Sequence, residues 1–120
     1  MKETESTNPE LVSLIRFLKK QSREQKANIW HDVAKNLSQS KSARATVNLS
    51  RINRHTKRSD TVVVPGKILG TGNIDHFLTI AAFNISTAAA KKLKAAKAKY
   101  MSITELVEKH PTGANVKIMR

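Results

Sequence analysis

Cysteine is absent from the 120 residues. That excludes disulfides, thiolate metal sites and cysteine nucleophiles together, and it fits a reducing compartment. Aromatic residues are scarce, with one Trp, one Tyr and three Phe, 4% of the chain. A platform that stacks several bases on aromatic rings is therefore not expected, and the core must come mainly from Val, Ile, Leu and Ala. No apolar run approaches the roughly 20 residues that span a bilayer. The opening MKETESTNPE has no apolar signal region. A soluble, non-secreted protein is expected. Acid is also in short supply: 9 Asp and Glu stand against 22 Lys and Arg, a formal charge of +13. Such an excess repels itself in a compact monomer and is relieved on a polyanion. Nucleic acid is the first candidate and an anionic membrane the second.

The scattered acids offer no carboxylate pair for acid–base work. His31, His55, His76 and His110 are isolated, and none has a partner at a spacing that makes a metal face. No serine or threonine sits in a nucleophile-elbow pattern. The stretch Gly66-Lys67-Ile68-Leu69-Gly70-Thr71-Gly72 invites comparison with phosphate loops. Its lysine follows the first glycine, Gly70-Thr71-Gly72 lacks the third glycine of a dinucleotide fingerprint, and it opens no helix. Turn glycines between strands are the expectation, with Lys67 kept as a candidate phosphate contact. No enzyme, metal or cofactor is expected.

The length suits one domain over residues 1–120. Residues 1–7 read as a flexible tail and 8–40 as a helical hairpin. Asn8-Pro9-Glu10 starts a helix from about Pro9 to about Glu24. Leu11, Leu14, Ile15 and Leu18 form its apolar stripe. Asn28 is placed as the cap of a second helix with Ile29, Trp30, Val33, Ala34 and Leu37 inward. Residues 41–60 form a basic segment. There Val47-Asn48-Leu49 is a brief strand, and Ser50 caps one or two turns with Ile52 inward and Arg51, Arg54 and His55 outward.

Residues 61–120 read as a mixed strand and helix core. Val62–Val64 and Leu78–Phe83 are paired or consecutive strands joined by glycine-rich turns. Ser86 caps a helix to about Lys97, with Ala89, Ala90, Leu93 and Ala96 inward and Lys91, Lys92 and Lys94 outward. Tyr100-Met101 is extended. Ser102 to Glu105 is a capping box opening a short helix that His110-Pro111-Thr112-Gly113 stops, and Val116–Ile118 is a last strand. A short strand followed by a short helix thus recurs at Val47, Leu78 and Tyr100. The fold class is mixed α/β.

Two basic runs carry the function. Val33 to Ser59 holds Lys35, Lys41, Arg44, Arg51, Arg54, Lys57 and Arg58 without one acid. Its four arginines suit bidentate phosphate contact, and His55 among them suits the same role. Lys91, Lys92 and Lys94 open a second run, to Lys99, also without acid. Trp30 lies beside the stripe of its helix, so packing is expected of it rather than base stacking.

Several blocks, in order, resemble one family. They are Val47-Asn48-Leu49-Ser50-Arg51-Ile52, Asp60–Gly70, Ile80–Ser86, Ile103-Thr104-Glu105-Leu106 and Pro111-Thr112-Gly113. The family is the archaeal and eukaryotic large-subunit ribosomal protein eighteen-e, related to the bacterial large-subunit protein fifteen. The compact length is similar to that of archaeal members. The resemblance implies a helical pair followed by a small core of irregular, superhelically arranged β–β–α turns. It implies a structural role on the cytoplasmic ribosome, with large-subunit ribosomal RNA and neighbouring ribosomal proteins as partners, no membrane, and a monomer when free. It maps RNA contact onto Lys41, Arg44, Arg51, Arg54, Lys57 and Arg58. One departure is Lys97-Ala98, where members often have glycine. The competing functions are a DNA-compacting architectural protein, served equally by high charge, and a small enzyme holding a nucleotide on the glycine loop.

Overall fold

The computed structural model describes residues 9–39 and 44–120. Helix α1 (Pro9–Gln25) buries Leu11, Ile15 and Leu18, three members of the expected stripe; Leu14 packs against the same core half-buried. Asn8, placed as the cap of α1, lies outside the described residues, as do Lys41 and the rest of the polar loop at 40–43. Lys26 ends α1 in the left-handed region (φ 52°), and Ala27 N–H reaches back to Ser22 O at 3.1 Å. This closing loop uses up a carbonyl that the helix end would otherwise leave open.

The following helix, α2 (Asn28–Leu37), is capped differently from expectation. Ala27 occupies the cap position without a side-chain bond, and Asn28 is the first helical residue. The tight reversal places Ala27, which is buried, in the seam where a polar side chain has no room. The Trp30 ring is fully buried, and its indole N–H donates to Pro111 O at 2.7 Å. This satisfies the polar edge of an otherwise apolar group.

Strand β1 (Ala45–Asn48) runs into α3 (Leu49–His55), whose cap is Asn48 rather than Ser50. Leu49 is fully buried, and the helix begins there to bury it. The Ser50 N–H is spent on Thr71 O at 3.0 Å. Strand β2 (Thr61–Leu69) continues well past the three valines and pairs with β3 (Thr79–Ile85) in parallel. The glycine-rich connection is therefore a crossover and not a hairpin. Between Val64 and Lys67 the register shifts, where Pro65 lacks the N–H that would continue the ladder.

Ser86 caps α4 (Thr87–Ala95) by accepting from Ala89 N–H at 3.1 Å. The helix ends two residues earlier than expected. Lys97 is left-handed (φ 59°), and Ala98 N–H bonds Leu93 O at 3.0 Å. A glycine would take this conformation without the clash of a Cβ. Ala90, expected inward, is exposed, while Ala89 and Leu93 are buried. Strand β4 (Lys99–Ser102) follows. Ser102 caps α5 (Ile103–Lys109), accepting from Glu105 N–H at 3.2 Å. Strand β5 (Val116–Ile118) closes the described chain.

The sheet order is β1-β2-β3-β4, with β5 also on β2, and every pairing is parallel. Since β3 takes one edge of β2, β1 and β5 share the other, β5 against Thr61–Val63 and β1 against Gly66–Leu69. Alternate strand residues serve opposite cores. Val63, Ala81 and Met101 pack with α1, α2 and α5. Val62, Val64, Ile80 and Ala82 pack with α3 and α4. Burial on both faces is what a parallel sheet requires, and it accounts for the unbroken valine run.

Candidate RNA-binding surface

Helix α3 buries Leu49 and Ile52, and a seven-residue helix with one inward face must turn the rest to solvent. Arg51, Arg54 and His55 are exposed, as are Lys57 and Arg58 just beyond. This is the outward set that the sequence predicts. Arg44 is half-buried, and its Nε donates to Gln39 O at 3.2 Å. Lys35 is exposed on α2 and Lys67 on β2. Lys91 and Lys94 are exposed on α4.

Lys92 departs from its expected outward position. Its ammonium donates to Gly70 O at 2.6 Å and to Gly72 O at 2.8 Å. The lysine closes the glycine loop against α4. The loop is a crossover fastened by a cation. Two charge-assisted bonds of this kind are each worth about 1.5–3 kcal/mol when partly shielded. Lys92→Met is expected to lower stability by at least about 1 kcal/mol, and Lys91→Met by less than about 0.5 kcal/mol. Urea melts of the two variants beside the parent check this.

Nothing local marks the part played by the C-terminal strand. Met119 N–H donates to Val63 O at 3.0 Å, and this draws the tail across to α3. A cleft of about 610 Å³ results, lined by Arg51, His55, Lys117, Ile118, Met119 and Arg120. Lys117 and Arg120 lie some sixty residues from the basic segment and stand alone in their local sequence. Only the parallel pairing of β5 with β2 reveals them. Asp60 organises the rim of this region. Its carboxylate accepts from Lys57 N–H at 2.8 Å and from the Lys117 ammonium at 2.9 Å.

Those two bonds, the backbone one foremost, hold the Asp60 carboxyl below its ordinary value of 3.8. A lowered folded value means that the charged form supports the fold. That support is complete above the unfolded value and is lost as pH falls through the lowered folded value. Asp60→Asn should therefore narrow the stability difference between pH 6 and pH 2.5 relative to the parent, which thermal melts at the two pH values measure.

Three residues that look isolated in the sequence meet in space. The Thr56 hydroxyl lies 2.8 Å from His76 Nε2, and His76 Nδ1 lies 2.9 Å from Asp75 Oδ1. A hydroxyl, an imidazole and a carboxylate in line resemble a nucleophile relay. The Thr56 oxygen also lies 2.7 Å from Ile52 O, which competes with the imidazole for the hydroxyl proton. Asn53 Oδ1 accepts from Asp75 N–H at 3.1 Å, tying the same loop to α3. The network pins the crossover to the end of α3. Among the described residues no group of His, Asp or Glu has the geometry of a metal site, and no helix is long and apolar enough to cross a membrane.

The surface is thus cationic, shallow and fixed to a rigid sheet. A family model described as ribosomal protein 60S L18 and 50S L18e matches residues 1–120. This chain belongs to that family. Its relatives include the large ribosomal subunit protein eL18 of Methanoregula boonei, 44% identical over 116 residues that cover 97% of this chain and 96% of the relative. The protein of the same name from Methanothermobacter thermautotrophicus is 43% identical over 113 residues, 94% of this chain and 93% of its own. That from Halobacterium salinarum is 42% identical over 114 residues, 95% and 97% respectively. The L18e match spans the helical pair and the sheet alike. The family is one of ribosomal proteins, structural rather than enzymatic.

Proposed function

We propose that this chain is a structural constituent of the large ribosomal subunit that binds ribosomal RNA through the cationic face of α3 and its flanks. Arg51, Arg54, His55, Lys57 and Arg58 are its centre, with Lys117 and Arg120 added by the tail. Arg44, Lys67, Lys91 and Lys94 are further candidate contacts, as are Lys35 on α2, across the sheet, and Lys41, outside the described residues. The observation that carries this reading is the cleft between α3 and β5, where Arg51, His55 and Arg120 converge beside Lys117, which Asp60 holds at the rim. Solvated lysines kept for solubility are spread over a surface; these cations converge on one concavity. Arginine forks suit phosphate oxygens two at a time. The relatives' name, large ribosomal subunit protein, supplies the RNA. Neighbouring ribosomal proteins complete the setting, at the ribosome, and the chain is a monomer when free.

The test is binding to folded large-subunit RNA and to duplex DNA across a salt series. Arg51→Ala/Arg54→Ala/Arg58→Ala should flatten the logarithmic salt slope for RNA by roughly 2–3, about 0.7–0.9 for each phosphate no longer neutralised. Equal affinity for both polymers would favour a DNA-compacting protein, and an unchanged slope would place the RNA on another face.

A further inference from the structure

Of the one Trp, one Tyr and three Phe in the chain, all but one have a place in the packing. Trp30 is fully buried. Phe17 and Phe83 pack against the core of α1, α2 and α5. Tyr100 lies on the edge strand β4, and its hydroxyl donates to Ala82 O at 3.4 Å. Phe77 is the exception. It is 41% exposed, the most of any large apolar side chain among the described residues, and it belongs to neither core.

The backbone around Phe77 is nevertheless held on both sides. Its carbonyl accepts from Ser59 N–H at 2.8 Å, and Thr79 N–H donates to Asp60 O at 2.9 Å. His76, just before it, has its two ring nitrogens within bonding distance of Asp75 Oδ1 and Thr56 Oγ1. Leu78, just after it, is fully buried. These bonds fasten Phe77 to the turn at 57–60, which Asp60 N–H closes onto Lys57 O at 3.1 Å. The same turn exposes Lys57 and Arg58. A lone exposed apolar side chain is ordinary on a protein surface. This one differs in being mounted on a fixed backbone, beside two cations of the proposed RNA-binding face.

We infer that Phe77 stacks on an unpaired base of the RNA held by α3 and its flanks, so that the RNA there is a loop, a bulge or a strand end. The inference rests on the RNA reading above and adds to it the residue that tells single-stranded from helical RNA. Within a helix each base face is covered by its neighbours, and an aromatic ring reaches only a base that has left the stack. Lys57 and Arg58 attract the flanking phosphates, and the ring covers the base between them. Every base has a face to offer, so the contact selects for an unpaired base and tolerates its identity. One ring makes a single stack and not a platform, which agrees with the scarcity of aromatic residues.

A stack carries no net charge, and its removal has its own signature. Phe77→Ala should lower the affinity for folded large-subunit RNA about 5- to 150-fold, the range of one base–aromatic stack. The factor should be the same across the salt series, with the slope of the parent. Phe77→Leu keeps apolar bulk without a flat ring and should lose nearly as much, whereas Phe77→Trp should bind as well as the parent. The emission added by Phe77→Trp should be quenched several-fold by saturating RNA, while that of the buried Trp30 in the parent stays unchanged. Parental affinity in Phe77→Ala would overturn the inference and leave the ring to a protein neighbour or to solvent. Parental affinity in Phe77→Leu would overturn it as well, because apolar contact would then suffice. So would an unquenched indole, or a slope flattened by Phe77→Ala. Arg51→Ala/Arg54→Ala/Arg58→Ala keeps the two readings apart. A slope flattened by that variant while Phe77→Ala binds normally defeats the stack alone, and no effect from either defeats the RNA reading. Thermal melts of the Phe77 variants should match the parent, since the ring is in no core; a clear loss in Phe77→Ala would assign it to the fold and overturn the inference.

Discussion

Trp30→Ala is expected to destabilise the protein by about 3–5 kcal/mol, the range for truncating a large buried aromatic. Small domains have only about 5–15 kcal/mol in total, so this single change removes a large part of the margin. Three effects act together. The ring is wholly buried in the core shared by α1, α2 and α5, and alanine leaves a cavity that the rigid sheet cannot collapse to fill. The Pro111 carbonyl is deprived of the indole N–H at 2.7 Å. The turn after α5 is no longer tied to α2, since that bond spans 81 residues of chain. Trp30→Phe separates these contributions. It keeps most of the apolar volume and removes the donor, so its cost should be nearer 1–3 kcal/mol, roughly the penalty of an unsatisfied acceptor and a small void. Denaturant melts followed by circular dichroism measure both variants, because removing the only tryptophan removes the fluorescence signal. RNA affinity extrapolated to fully folded protein should hardly change for either, since the ring faces the core.

The second large effect is expected at Gly66. A Cβ placed there would collide with the carbonyl oxygen of Ala45, the residue that Gly66 faces across the β1–β2 ladder. The obstacle is backbone and cannot rotate aside. Gly66→Ala must therefore push β1 away from β2 or strain the bulge beside Pro65. The cost should be about 2–3 kcal/mol, at the upper end of overpacking in a tight site. The functional consequence follows from connectivity. β1 runs directly into α3 at Leu49, so displacing the strand displaces the helix that carries Arg51, Arg54 and His55. RNA affinity should fall by several-fold although every cation is retained, and the salt slope should stay close to that of the parent. Lys67→Ala, one residue on and exposed, supplies the contrast. It should leave the melting temperature almost unchanged. Melts and the salt series on the two variants read both quantities.

Much of this molecule is written locally, and the physical reason is periodicity. The stripe of Leu11, Ile15 and Leu18 is a helix face in any context, and so α1 lies where the spacing puts it. Ser86 and Ser102 cap their helices because each hydroxyl needs only a backbone N–H three residues ahead. The outward direction of Arg51, Arg54 and His55 followed once Ile52 was turned inward. Mixed α/β architecture, the N-terminal helical pair and the ribosomal family were all legible at this level. Asn28 and Ser50 show the limit. Both are favourable capping residues by type, yet neither helix is capped by them, because Ala27 and Leu49 are buried by tertiary packing and set where each helix begins.

The tertiary structure alone decided how distant segments meet. The order of two strands does not state whether they pair in parallel, and so the glycine-rich stretch read as a turn proved to be a crossover. Lys92 reads as one more surface cation until the crossover brings Gly70 and Gly72 beneath it. Lys117 and Arg120 join Arg51 and His55 because β5 adds to β2 far from its own place in the chain. Their pattern had no local signature, since no periodicity links residues 51 and 120. Composition established the formal charge of +13, because net charge is a sum over residues and is indifferent to arrangement. Which of those charges share a concavity is set only by long-range pairing across the sheet.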